Sequence, residues 1–338
     1  MRGLTPFQVP LCGDARSPRK AHGLDGAGRP RTGDPTQRRS RDRSSTVSPK
    51  LHRSPSLHME RMSLSAAVLI LILATLWGGV AATSAAPVDT PPKHDKPIGG
   101  YINIGGRALY LKCAGSGRPS VVMDAGMASG HEAWNAVAPA VSKLTRTCTY
   151  DRAGVAGSDD APKPRTLRSL VSDLRRLLAH AGVNPPYLLV GHSFGGLDMR
   201  LYASEHPHDV VGMVLLDPTP TTLLTDVCSI SADACATYTA NWSANPEGVL
   251  FDKSAQLVDA ARLPRVPLVV MAATNHEDPA FGVEGNQRFE MLWQNAQQRL
   301  AASVPGGSLQ VVQGGHGIQD EHPRVVVAAI RAMLQKTR

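Results

Sequence analysis

The stretch Tyr187-Leu188-Leu189-Val190-Gly191-His192-Ser193-Phe194-Gly195-Gly196 reads as a strand, a tight turn and the start of a helix. An unbroken apolar run at its head fits a strand buried on both faces. The turn is Gly-x-Ser-x-Gly, and Phe194–Glu205 after it has helical spacing. Such a turn forces Ser193 into a strained backbone. Glycine is needed at 191 and 195 because a Cβ there would strike neighbouring backbone. The result lifts the Ser193 hydroxyl above the sheet, at a helix N-terminus where the dipole and the free N–H of Phe194 favour an anion. Gly and Ser are common, so the pattern alone is weak, and its plain alternative is an idle serine in a glycine-rich bend. The strand before and the helix after make it specific for an exposed nucleophile.

Working outward, short β-rich runs alternate with helical ones. Tyr101–Ile104 with Ala108–Lys112 reads as a hairpin, and Ser120–Met123 and Thr147–Tyr150 as strands. His131–Leu144 has helical spacing. In Leu167–His180 the residues Leu167, Leu170, Val171, Leu174, Leu177 and Leu178 fall on one helix face, with Gly182 as the stop. Downstream, Val210–Leu216, Leu268–Ala272 and Leu309–Val312 read as strands. Phe289–Ala302 and Pro323–Leu334 read as helices, the latter opened by a proline where one is tolerated. A long insertion, Pro218–Arg265, interrupts the rhythm. Apolar strands with intervening helices predict an α/β fold, a mostly parallel sheet with helices on both faces. Ligands of such sheets bind beyond the carboxyl ends of the strands.

A serine hydroxyl needs a positioned base. The last strand runs into Gln313-Gly314-Gly315-His316-Gly317, a glycine-flanked histidine at a strand's carboxyl end, on the face that bears Ser193. An imidazole titrates where proton shuttling requires. His192 lies inside the turn, and His206, His208 and His322 flank helix ends. Two acids follow strands in the order Ser, Asp, His. Asp217 comes directly off Val210–Leu216, and Asp278 follows a longer loop after Leu268–Ala272. Asp217 is preferred for its rigid mount, with Asp278 as the alternative. Two N–H donors are needed for a tetrahedral oxyanion: Phe194 supplies one, and Met127, in Asp124-Ala125-Gly126-Met127-Ala128-Ser129-Gly130, is the expected second. The histidines lack metal-ligand spacing, so neither a metal nor a cofactor is expected.

With Asp124-Ala125-Gly126, Tyr150-Asp151-Arg152-Ala153-Gly154, Leu216-Asp217-Pro218 and Gly314-Gly315-His316 beside the serine turn, the chain from Ile98 to Leu334 resembles the α/β-hydrolase fold family. The resemblance implies an eight-stranded sheet whose second and fourth strands are neighbours. It implies a structural bracing role for Asp151 and Arg152, and a helical cap at about 218–265. Tyr238, Trp242, Leu250 and Phe251 would form the cap's own core or line an acyl pocket. The chain departs from the family at Ala125-Gly126, where many members have His-Gly. It departs again at Thr274-Asn275-His276-Glu277-Asp278, in place of a short Gly-x-x-Asp, which further favours Asp217. The implied activity is hydrolysis of a carboxylic ester or related acyl bond through an acyl-Ser193 intermediate, on a small-molecule acyl substrate. The alternatives are a non-catalytic binding module on the same fold and cofactor-free peroxide or oxygen chemistry on the same triad.

Charge and composition bound the rest. Residues 1–61 carry 13 Lys/Arg against 5 Asp/Glu, whereas residues 87–338 carry 23 of each. The folded part has no net basic field to attract nucleic acid. Residues 1–58 read as a disordered basic leader or as sequence upstream of a misassigned start. Residues 59–86 read as a signal peptide, or as a membrane anchor through the uncharged run 63–82, and 87–97 as a linker. Both readings place the domain outside the cytoplasm, in contact with a membrane only if the run stays uncleaved. Of the four cysteines after Cys12, proximity pairs Cys228 with Cys235 and leaves Cys113 with Cys148, in keeping with export. The family's strand order makes the second pairing plausible.

Overall fold

The computed structural model describes residues 96–337. The expectations for the leader and the apolar run lie outside that range. Eight strands form one sheet in the order β1-β2-β4-β3-β5-β6-β7-β8. They are β1 (Ile98–Asn103), β2 (Ala108–Ala114), β3 (Ser120–Asp124), β4 (Thr147–Tyr150), β5 (Tyr187–His192), β6 (Val210–Leu216), β7 (Leu268–Asn275) and β8 (Ser308–Gly315). The pairs β1–β2 and β2–β4 are antiparallel; every later pair is parallel. Cys113 and Cys148 face each other across β2 and β4 and are joined as a disulfide.

Alternation along the central strands divides the core into two layers. Leu189, Met213, Leu215 and Val270 point into one, against α2 (Leu167–His180), α3 (Phe194–Glu205) and α7 (Gly282–Ala302). Leu188, Val190, Val214, Leu216 and Met271 point into the other, against the 131–141 segment and α9 (Pro323–Lys336). The apolar face of α2 is fully buried from Leu167 to Leu178, each leucine contributing about 1.5–3 kcal/mol relative to exposure. Thr166 opens that helix with a reciprocal capping box to Ser169, and Gly182 leaves it with φ 67°, as a residue after a helix end does.

Between β6 and β7 the chain forms three cap helices: α4 (Leu223–Ile230), α5 (Ala232–Ser243) and α6 (Phe251–Ala260). A disulfide from Cys228 to Cys235 joins the first two. Two elements differ from the expectation. His131–Leu144 is not one helix but a 3-10 turn (His131–Trp134) and a single-turn helix, α1 (Ala138–Val141), with Pro139 at its start. Proline donates no hydrogen bond and cannot sit inside a continuous helix. Conversely, α7 begins at Gly282, two turns before Phe289. There Phe281, stacked on Phe289 at 4.8 Å, anchors a stretch whose glycines lower its own helical preference. The last short helix, α8 (Ile318–Glu321), follows β8.

Candidate active site

Four polar side chains occupy equivalent places on four adjacent strands. Ser193, Asp217, His276 and His316 are each the first residue past the carboxyl end of β5, β6, β7 and β8. Parallel pairing aligns those ends, so residues far apart in the chain converge on one edge.

Ser193 has φ 54° and ψ −121°, a conformation non-glycine residues avoid. The surroundings enforce it. A Cβ on Gly191 would lie 2.6 Å from the Gly195 carbonyl oxygen, and one on Gly195 would lie 2.5 Å from the carbonyl oxygens of Asp124 and Ala125. The Ser193 N–H donates to Leu216 O at 3.0 Å, which fixes the turn to β6.

The Ser193 hydroxyl lies 2.8 Å from His316 Nε2, and His316 Nδ1 lies 2.6 Å from Asp217 Oδ2. Both ring nitrogens of His316 are therefore committed, one to the serine and one to Asp217. His192, fully buried, donates from Nε2 to the His316 carbonyl at 2.9 Å and holds the loop in place. Burial, then the neighbouring His316, lower the His192 pKa to about 3, which keeps that ring neutral. Asp278 does not compete for the base: its carboxylate accepts the Tyr238 hydroxyl at 2.7 Å.

Asp217 is fully buried and accepts four hydrogen bonds. Oδ1 takes the Ala273 N–H at 3.1 Å and the Trp293 indole N–H at 2.8 Å. Oδ2 takes His316, and also His276 Nε2 at 2.5 Å. Burial raises a carboxyl pKa, but here the hydrogen bonds from His276 and His316 dominate and hold it far below the usual range. His276 has a second carboxylate on its other nitrogen, Glu290 Oε2 at 2.8 Å. With an acceptor at each ring nitrogen it must carry both protons. Burial alone would lower its pKa; Asp217 and Glu290 raise it to about 9. Asp217, His276 and His316 also bring three metal-capable atoms within 4.8 Å of one another. Each of those atoms is engaged in the hydrogen bonds above.

The loop after β3 passes beside the nucleophile: a Cβ on Gly126 would lie 3.5 Å from Ser193 Cβ. The Met127 and Phe194 N–H groups, the expected oxyanion donors, have no acceptor among the described residues. Arg152 holds this loop. Nη1 donates to Asp124 at 2.5 Å and to the Ala125 carbonyl, and Nη2 to the Gly126 carbonyl at 2.6 Å. Its remaining donors go to Glu247, between α5 and α6 of the cap, at 2.7 and 2.8 Å. Glu247 in turn accepts the Ala128 N–H at 2.9 Å.

Sequence reasoning brought forward Ser193, Asp217, His316, Met127 and Phe194. The structure joins the first three in one hydrogen-bond line, with Phe194 next in chain to Ser193 and Met127 next to Gly126, which borders the serine. It did not single out His276, Glu247, Trp293 or Thr219, whose hydroxyl lies 3.3 Å from that of Ser193. Of these only His276 had an available signal: a histidine directly after a parallel strand, next to the strand that leads to His316. The cap aromatics pack partly on one another and partly on the body of the domain, Tyr238 on Phe281 at 5.8 Å. Trp242 lies 4.4 Å from Phe251 and 5.8 Å from Phe194, ring centre to ring centre, while Leu250 is exposed.

Comparison with known proteins agrees with this architecture. Residues 119–234 match the family model described as alpha/beta hydrolase fold. An uncharacterised protein, YqjL of Bacillus subtilis, is 31% identical over 224 residues, which are 64% of this chain and 83% of the relative. Among solved structures, mouse alpha/beta hydrolase domain-containing protein 10 superposes with a TM-score of 0.55 at 17% identity, covering 71% of this chain and all of the other. A putative ancestral haloalkane dehalogenase gives 0.51 at 14% identity, over 70% of this chain and 98% of the other. At such identities the two structures speak for the fold alone.

Proposed function

Since this chain belongs to the α/β-hydrolase fold family, we propose that it is a serine hydrolase that cleaves a carboxylic ester or related acyl bond on a small molecule. The observation that carries this reading is the unbroken hydrogen-bond line from Ser193 through His316 to Asp217, beside two unengaged backbone N–H groups.

In this reading Ser193 Oγ attacks the acyl carbon as His316 Nε2 takes its proton. The carbonyl oxygen becomes an oxyanion held by the Met127 and Phe194 N–H groups. Asp217 fixes the His316 ring with Nδ1–H inward and balances the imidazolium that forms. His316 then protonates the leaving group, and water, activated by the same ring, releases the acid from Ser193. An exported location is part of the proposal, supported by the uncharged run 63–82 and the two disulfides.

A fluorophosphonate probe tests it: the chain should be labelled at Ser193 and turn over a short p-nitrophenyl ester, and Ser193→Ala should lose both. Labelling that persists in the variant removes Ser193 as nucleophile. A chain that is neither labelled nor able to turn over any ester would favour the binding-module alternative.

A further inference from the structure

A cavity of about 670 Å³ lies between α3, the Pro218–Thr222 segment, the end of α6 and the second half of α7. Four arginines line it, Arg200, Arg262, Arg265 and Arg299, against one carboxylate, Asp259. That is a local excess of cations in a region, residues 87–338, whose charges balance as a whole. Arg262, Arg265 and Arg299 stand exposed at its rim. Among the described residues none of the four forms an ion pair, and Asp259 instead accepts the Thr221 hydroxyl at 2.7 Å.

Arg200 differs from the other three. It lies two turns along the helix that starts after Ser193, and its Nε is wholly covered yet has no acceptor. Burial lowers its pKa and the charge of Asp259 offsets part of that, leaving it at about 10, so it remains a cation at neutral pH. The side chain as a whole is half-buried, but a covered N–H donor without an acceptor is costly, and a guanidinium fork matches carboxylate and phosphate oxygens. Gln297 also borders the cavity. Its Nε2 is spent on the Pro218 carbonyl at 2.9 Å, while its Oε1, covered and unpartnered, suits a ligand hydroxyl better than an anion.

We propose that this cavity binds a small carboxylate- or phosphate-bearing molecule, with Arg200 as its inner anchor and Arg262, Arg265 and Arg299 as its rim. The cavity wall also communicates with the nucleophile. Thr219 lines it, donates its N–H to Ser193 O at 3.0 Å and places its hydroxyl 3.3 Å from Ser193 Oγ. An anion seated here would therefore bear on the segment that borders Ser193.

The test is titration of the full chain with inorganic phosphate and with citrate, one at a time, against potassium chloride at matched ionic strength, read by calorimetry and thermal shift. Binding should be saturable. It should persist in Ser193→Ala, which keeps this result separate from the acyl-transfer reading. It should weaken about tenfold in Arg200→Gln, the loss of one charge-assisted contact. If Arg200→Gln does not fold, the exposed pair Arg262→Gln/Arg265→Gln decides, with a loss of about threefold or more. Arg168→Gln, on α2 away from the cavity, should bind as the parent does. Neither anion exceeding chloride, or equal loss in Arg168→Gln, overturns the site. Turnover distinguishes two sources of the anion. Competition by phosphate against an anionic ester, but not a neutral one, marks the substrate's own charged end. A changed kcat for both esters marks a separate effector.

Discussion

Glu247 and Arg152 meet through two hydrogen bonds, Nε to Oε2 and Nη2 to Oε1, with both side chains buried. One residue belongs to the cap and the other to the loop after β4. The same guanidinium grips the carbonyls of Ala125 and Gly126, so the cap carboxylate is linked to the loop that presents the Met127 N–H. Breaking a buried pair from one side costs up to about 3–5 kcal/mol when the charge left behind has no other partner. Arg152 keeps Asp124, so the cost here lies towards the lower end. Glu247→Ala should lower stability by that order and reduce kcat more than it raises KM, measured by denaturant unfolding and ester turnover. Burial raises the Glu247 pKa, but the Arg152 charge and hydrogen bonds outweigh this and hold it below the ordinary value. Its contribution is therefore complete above the ordinary glutamate range and drains as pH falls through the lower folded value. Glu247→Gln should flatten the acid side of the stability curve.

For His276 the sign is opposite. Its pKa is raised to about 9 from an ordinary 6.5, so its contribution is present below 6.5 and lost as pH rises through about 9. We expect stability to fall across that window by at most about 3 kcal/mol. His276→Gln should remove most of the slope. An equal slope in parent and variant would mean that the ring is neutral in the folded state.

Asp217→Asn should cost roughly 10²–10⁴ in kcat, because an amide neither selects the Nδ1–H form of His316 nor balances an imidazolium. It should also lower Tm markedly, since His276 would face a buried amide. Trp293→Phe removes one of four donors and should cost about 1–3 kcal/mol in stability, counting the lost hydrogen bond.

Two glycines separate folding from activity. Gly195→Ala would press a methyl 2.5 Å from the Asp124 and Ala125 carbonyl oxygens and should prevent folding to a soluble product. Gly126→Ala meets only ordinary contacts, 3.4 Å to His192 and 3.5 Å to Ser193. It should fold, yet lose turnover because the methyl fills space beside Ser193 that the substrate needs, as thermal melts and turnover together would show.

What was legible in the chain was what is local or periodic. Ser193 announces itself by five residues, and β6 and α3 by unbroken pattern, so their limits coincide with the structure. Asp217 and His316 were readable because a strand's end places its next residue on the reactive edge whatever the rest of the chain does. His276 obeys the same rule, but the apolar pattern ends its strand at Ala272, whereas β7 runs to Asn275. Glu247 was not readable, because its meaning comes from a partner 95 residues away. No spacing rule records that a cap loop reaches back to Arg152. The 131–144 segment failed for a different reason: helical spacing and Pro139 gave opposite instructions, and apolar packing of Trp134, Val137 and Val141 is satisfied by two short turns.

That four side chains each follow a strand end makes the reactive edge a gauge of alignment within the sheet. Slipping one strand by one residue would move its side chain about 3.3 Å and turn it to the other face. The line from Ser193 to Asp217 would open while the hydrophobic mass stayed together. Chains arrested in such a slipped arrangement would remain soluble and near-native in secondary structure, yet inert towards an active-site label. Titrating that label would count the molecules whose strands had locked into place.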